Sequence, residues 1–325
     1  MLNVFVTIDT AIRDTTGREN PERLDANIDA FIYGKSSEGD YGLSHMFEIL
    51  NTCGLKATFF VETLCIDRTG ADRIRTFISY IRQQGHDVQL HVQPEWLDQD
   101  STPAVGSGEK QYLHQFTGEE QAVIIKRSMS NMTECGIKSV IAFRSGNFGS
   151  NPETLTALAR NGIAFDSSYN PCYLDLACKF DGMEKLTQPR RFGSVLEFPV
   201  SSFVDFRGEE HNTRICDCSF AEMKEALLNA WQYGWYSFVI VSSSFELVNM
   251  ESETGRCTGV NAINSRRFAR LCKFLSDNSD KFRVTVFPEI NPDEVPVDLV
   301  KKPLKVSALS TMARYFEQFM KRIVR

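Results

Sequence analysis

The sequence predicts an α/β protein built as a parallel β/α barrel. Short strand-like apolar runs alternate with helix-like amphipathic runs through most of the chain, and polar residues gather where the strand-like runs end. In such a fold the chemistry lies at the C-terminal rim of the strands. The stretch Gly85 to Trp96 shows the pattern in miniature: Val88 to Val92 alternates as a strand, Pro94 cannot continue a ladder, and His91, Gln93 and Glu95 fall at the exit.

The elements follow in order. Residues 2–8 alternate as a first strand that delivers Asp9 and Thr10 to its end. Residues 11–40 are polar, lack a period and are expected to form a long loop. Leu43, Met46, Phe47 and Leu50 recur at helical spacing and stop at Gly54; Ala57 to Val61 is a second strand. A helix over 71–84, with Ile74, Phe77, Ile78 and Ile81 on one face, leads through Gly85 into the third strand. After a second long loop, 93–116, containing Pro94, Pro103, Gly106 and Gly108, Thr117-Gly118-Glu119-Glu120 begins a capped helix to about Glu134.

Val140 to Phe143 is a fourth strand, ending in Arg144-Ser145-Gly146, and Asn151-Pro152 opens the next helix. Ile163 to Phe165 leads to Asp166, and Val195 to Val200 is a further strand. Ser219 caps a helix through Trp231; Ser237 to Val241 is a strand ending in Ser243 and Glu246. A helix over 264–276 and a strand over 282–287 complete a barrel spanning residues 1–290. Residues 291–325 read as an extension in which a helix from Leu309 to Val324 carries Met312, Phe316, Phe319 and Ile323 on one stripe, near Arg314, Lys321, Arg322 and Arg325. Docking of that stripe on the barrel or on a partner chain is one expectation, and peripheral attachment to an anionic membrane the other.

Bulk properties narrow the function classes. The chain has 325 residues, 42% apolar, with net charge −6, so no global basic field favours nucleic acid. No apolar run approaches the ~18–20 residues of a membrane span. The N-terminal segment has no basic n-region, so no signal peptide and a cytoplasmic location are expected. Nine cysteines show no disulfide framework or zinc spacing, as befits reduced thiols.

The strand ends offer Asp9-Thr10, His91 with Glu95, Arg144, Asp166, and Ser243 with Glu246. Thr7-Ile8-Asp9-Thr10, Ala57-Thr58-Phe59-Phe60-Val61, Gly85-His86-Asp87-Val88, Phe143-Arg144-Ser145-Gly146 and Ser244-Phe245-Glu246-Leu247 occur in an order and spacing that resembles the polysaccharide deacetylase family, also called NodB-homology or carbohydrate esterase family 4. The resemblance runs from about residue 2 to 250 and implies a distorted parallel (β/α)7 barrel that removes N- or O-acetyl groups from sugars with a divalent metal, often zinc. It places Asp9 on the catalytic base, His91 on the first histidine ligand and Arg144 on the arginine that orients the base. It also places Thr10 where the family has its metal aspartate, Glu95 where it has its second histidine, and Ser243 where it has its general-acid histidine.

The resemblance therefore implies a metal held by Asp9, His91 and Glu95, with Asp9, Arg144 and Glu246 as catalytic residues and Glu246 a stand-in for the missing acid. Gln93, Trp96, Asp166 and Ser243 would contact substrate. Each has a plainer account: Arg144 pairing with a carboxylate, Asp166 and Gln93 serving their turns, Trp96 packed in the core. His86 is expected to cap or pack locally, and His45, His114 and His211 lack ligand spacing. The implied partner is an acylated sugar, a nucleotide-sugar or a lipid-linked glycan of surface-polysaccharide (for example O-antigen) assembly. The competing class is a repurposed or inactive relative that binds a glycan.

Overall fold

The computed structural model describes residues 1–12, 21–99, 110–251, 255–297, 299 and 301–323. Seven parallel strands form one curled sheet: β1 (Leu2–Thr10), β2 (Thr58–Glu62), β3 (Asp87–Val92), β4 (Ala142–Ser145), β5 (Phe165–Asp166), β6 (Val195–Glu197) and β7 (Ser237–Ser243). Their lateral order is β7-β1-β2-β3-β4-β5-β6. An eighth, β8 (Phe282–Val284), pairs with the start of β1, below the stretch of β1 that pairs with β2. β1, flanked by β7 and β2, is buried on both sides: Val4, Val6 and Ile8 face the helices while Phe5 faces the barrel interior.

The seam between β6 and β7 is closed by irregular chain. Ser201 donates its N–H to the Val239 carbonyl, Thr213 Oγ1 donates to the same carbonyl at 2.6 Å, and the Val241 and Thr213–Ile215 backbones bond across. The interior floor is a packed set of Phe5, Phe60, Phe165, Phe198, Val239 and Phe287, with Phe5 5.0 Å from Phe287 and 5.3 Å from Phe198 between ring centroids. This plug fills the lower barrel with side chains and leaves polar residues to the rim.

The 11–40 segment departs from the expected loop. It contains helix α1 (Pro21–Ile28), a π-helical turn (Asp29–Tyr33) and a small hairpin; α1 is too polar to show a period, and its helicity rests on Asn27, Ile28, Phe31 and Ile32 being buried. The longer helices surround the sheet where the spacing predicts them: α2 (Leu43–Thr52), α3 (Ala71–Gln83), α4 (Gly118–Glu134), α5 (Pro152–Arg160), α6 (Phe220–Gln232) and α7 (Ala262–Asp277); the spacing does not predict the short helical turn Ile66–Thr69. Thr117, Asn151 and Ser219 cap α4, α5 and α6 through capping boxes. Within 93–116, Pro94–Gln99 and Leu113–Gln115 are 3-10 turns. Pro103, Gly106 and Gly108 lie outside the described residues.

A second correction concerns α8 (Ala308–Ile323). Its stripe does not dock on the barrel: Leu309, Met312, Phe316 and Phe319 are 80%, 59%, 65% and 59% exposed. The helix turns its polar side inward instead. Arg314 is buried and donates to Glu222 at 3.0 Å and to Asp205 at 2.9 Å, and Arg267 pairs with Glu317. Leu304–Lys305 just before it adds a parallel strand to Ser202–Val204. Buried, multiply bonded charges of this kind are expensive to break.

His86 is held by packing alone. It is buried against Phe47 and Phe59, at 5.2 and 5.4 Å between ring centroids, and neither ring nitrogen has a partner. Burial lowers its pKa to about 4. The neutral form is therefore favoured on folding, and stability should fall as pH drops from about 6.5 through 4. Chemical denaturation of His86→Phe should show up to about 3 kcal/mol less acid destabilisation than wild type over that interval. Parallel pH profiles for the two proteins would contradict the assignment.

Candidate active site

The site is built by the alternation of β1. With Phe5 facing the interior, Thr7 and Asp9 face it too, one and two levels higher. On β4 the same face carries Ala142 and then Arg144, which is fully buried. The Arg144 guanidinium lies 4.4 Å over the Phe60 ring. Its Nε donates to the Ser167 carbonyl (2.9 Å), Nη1 to Thr7 Oγ1 (2.7 Å) and Asp9 Oδ1 (3.0 Å), and Nη2 to Ser167 Oγ (2.9 Å). The two hydroxyls donate onward, Thr7 to the Ile240 carbonyl and Ser167 to the Phe198 carbonyl. Arg144 thus holds Asp9 at the mouth with its side chain 20% exposed.

His91 lies beside Arg144 in register, and its Nδ1 donates to the Arg144 carbonyl at 2.9 Å. That fixes the tautomer and leaves the Nε2 lone pair free of this bond, the arrangement usual for a ligating or proton-accepting imidazole. Burial pushes the His91 pKa down, against the pull of nearby Asp9. On its other side in register stands Glu62, the last residue of β2, which is absent from the residues expected on sequence grounds. Its carboxylate accepts the N–H groups of Leu64 (2.6 Å) and Cys65 (3.2 Å), while burial, with a contribution from the Glu95 charge, raises its pKa to about 7. The sequence does hold a signal for it. Glu62 follows an apolar strand directly, as Asp9 does, and a strand running one residue past Val61 brings it to the rim.

The turn after Arg144 is conformationally demanding. Asn147 and Phe148 both have positive φ, 51° and 58°, a costly pair for residues with a Cβ. Gly146 is required by space, because a Cβ there would lie 2.8 Å from both Gln93 Cγ and the Val92 carbonyl oxygen. This contact sets Gln93 against the turn, with its buried Oε1 unpartnered.

The remaining expected residues divide. Ser243 pairs with Asp9 in register and belongs to the mouth. Glu246 lies beside it but is committed: Arg214 Nε donates to its Oε1, Ser243 Oγ donates to the same oxygen (3.3 Å), and Ser242 Oγ donates to Oε2 (3.1 Å). Burial pushes its carboxyl up and Arg214 draws it back, while Glu246 in turn raises the Arg214 pKa. No sequence motif marks Arg214, which reaches β7 from irregular chain by a single bridge to Val241. Trp96 is 3% exposed within the helix-side core and presents no open ring face. Asp166 lies on the opposite strand face from Phe165 and Ser167, buried with Glu197, and burial pushes both carboxyls up, Glu197 further. It is not part of the mouth.

Asp9, His91 and Glu95 do not each bring a ligand atom within 4.8 Å of the others, so as arranged they do not form the expected three-ligand metal set. Among the described residues the trio that does is Asp205, Glu209 and His211, a candidate acidic–histidine metal site gathered by the turn between Ser202–Val204 and Glu210–Asn212. Its geometry is that of an ion-pair cluster as well, since Asp205 Oδ2 already accepts from Arg314 and lies 3.1 Å from His211 Nε2.

No family model and no curated protein sequence matches the chain. Solved structures do. A candidate polysaccharide deacetylase from Mycobacterium smegmatis overlays with TM-score 0.54 at 17% identity, covering 93% of this chain and 95% of that one. A 4-alpha-glucanotransferase from Thermococcus litoralis overlays with TM-score 0.52 at 12% identity, covering 99% of this chain and 46% of that one. A family 4 carbohydrate esterase from Streptomyces lividans, solved with acetate, overlays more loosely, with TM-score 0.42 at 11% identity over 94% of this chain and 98% of that one. The fold is therefore the NodB-like deacetylase fold, a curled, mostly parallel β/α sheet. At these identities the likeness establishes architecture.

The Arg144 network yields a stability expectation. Arg144→Met should cost about 3–5 kcal/mol, because Asp9 and the Thr7 and Ser167 hydroxyls lose their buried donor. Arg144→Lys should recover little, having no planar fork. Urea denaturation measures both, and a loss near zero for Arg144→Met would show that the network is not a structural tie.

Proposed function

We propose that the mouth hydrolyses an N- or O-acyl group on a sugar, in the manner of a polysaccharide deacetylase. The observation that supports this most is Asp9: a carboxylate at the barrel mouth, oriented by Arg144 through one oxygen and partly open to solvent. In this scheme Asp9 takes a proton from water as the water oxygen bonds to the acyl carbon. When the C–N or C–O bond to the sugar breaks, the proton returns to the leaving amine or alkoxide, so charge and protons balance. His91 accepts a hydrogen bond at Nε2 from the water or a sugar hydroxyl. Glu62 stands beside His91 in register, but the Leu64 and Cys65 N–H groups occupy its two oxygens, so no proton transfer is assigned to it. No step is assigned to a cation, and Glu246 is not the acid because Arg214 and two serines occupy it.

The substrate class is supported by the two overlays that match well, one named as a polysaccharide deacetylase and one as a glucanotransferase. An acylated sugar in surface-polysaccharide assembly, nucleotide-linked or lipid-linked, is the proposed form. Glycan binding without turnover is the second reading, favoured by the non-converging ligand atoms of Asp9, His91 and Glu95.

Acetate release from acetylated aminosugar oligomers tests the two. Asp9→Asn should lower kcat/KM by about 10²-fold or more, and because it also removes the carboxylate paired with buried Arg144 it should lower Tm, so turnover is compared at a temperature below the variant's own transition. Tight oligomer binding by calorimetry without acetate release in the wild type would favour the second reading. Metal content of protein purified without added metal, and after zinc loading, is the companion measurement. One equivalent lost on His91→Ala places a cation at the mouth, one lost on His211→Ala places it at the hairpin, and none under any loading retires a metal-assisted reaction.

A further inference from the structure

The exposed face of α8 is the largest feature that the barrel and its mouth do not explain. Leu309, Met312, Phe316 and Phe319 recur at spacings of three and four and stand out from the protein, because the opposite side of the helix is bolted down by Arg314 and Glu317. Four large side chains in one exposed row are more than scattered surface apolarity. The turn that Arg314 grips through Asp205 also exposes Phe206, at 50%.

Charge decides the occupant. Residues 301–325 contain Lys301, Lys302, Lys305, Arg314, Lys321, Arg322 and Arg325 against the single acid Glu317, in a chain whose net charge is −6. Basic residues therefore concentrate in the segment that carries the apolar row, against the sign of the whole. Arg314 is neutralised by Asp205 and Glu222, whereas Lys302 and Lys305 are exposed. An apolar row in a segment rich in cations fits an interface that is apolar inside and anionic at its surface. A second copy of the chain would bring the same cations against one another.

We infer that α8 is an interfacial helix that docks this protein on an anionic lipid bilayer, lying in the headgroup plane with Leu309, Met312, Phe316 and Phe319 in the acyl boundary. The helix is not a span, since no described helix is long and apolar enough to cross a membrane. Its attachment is preformed: the ion pairs already hold it, so docking needs no folding of a disordered segment and loses less entropy. The helix also connects to the mouth, because Arg267, which pairs with Glu317, donates to the Ile215 and Cys216 carbonyls next to Arg214. This inference stands on the surface alone and is independent of the chemistry at Asp9.

Co-sedimentation of the full chain with vesicles tests it. Phosphatidylcholine vesicles containing about one third phosphatidylglycerol should pellet the protein, and pure phosphatidylcholine should do so at least about tenfold less well. Phe316→Ser with Phe319→Ser should abolish pelleting while leaving Tm unchanged, since both rings are exposed. Lys302→Gln with Lys305→Gln should weaken it by roughly tenfold or more and flatten its salt dependence. No pelleting with anionic vesicles, or pelleting that survives the double serine substitution, overturns the inference. So does a dimer seen by light scattering that the serine variant abolishes in the absence of vesicle binding, since the row then belongs to a second copy.

Discussion

A buried guanidinium with every contact satisfied is the constraint on which the mouth of this barrel depends. Arg144 is fully buried, yet it bridges β1 and the chain after β5 and rests on the Phe60 ring of β2. A charge taken out of water is tolerated only when paired and hydrogen-bonded. Here the pairing uses the residues that define the mouth, Thr7, Asp9 and Ser167, so satisfying the arginine and shaping the site are the same act. The aromatic floor beneath keeps water away and makes the network rigid.

The rim is otherwise divided between groups that are open to chemistry and groups that are not. Asp9 and His91 each spend one atom on structure, Oδ1 to Arg144 and Nδ1 to its carbonyl, and keep another. Glu246 spends both oxygens, and Asp166 points out of the barrel. The Arg214–Glu246 pair, sealed beside Ser243 where the family resemblance calls for an acid, makes that wall of the mouth electrostatically closed. The proposed hydrolysis is therefore concentrated on the Asp9–His91 side.

Much of this is legible from residue order. Periodicity locates the parallel strands of the main sheet but not the antiparallel edge strand Arg190–Phe192, which lies in chain read as irregular; Asp9, His91, Arg144 and Ser243 fall at strand ends because each follows an apolar run. Orientation is less legible. Asp166 and Ser167 differ by one position, and strand alternation turns that into opposite faces; a two-residue strand carries too little pattern to say which faces inward. Trp96 has two readings until packing puts its ring in the core. Glu62 hides behind a strand boundary uncertain by one residue, an ordinary margin for local pattern.

Sequence by itself determined the alternating architecture, the rim as the place of the site, and the amphipathic character of residues 309–323, because these depend on local spacing along the chain. Tertiary structure alone decided what each side chain faces. It gave Glu246 to Arg214, separated the ligand atoms of Asp9, His91 and Glu95, gathered Asp205, Glu209 and His211, and turned the apolar row of α8 outward. Those outcomes depend on contacts between residues distant in sequence. Arg314 meets Glu222 and Asp205 some hundred positions away, and these ion pairs, rather than the apolar stripe, chose which side of the helix to bury.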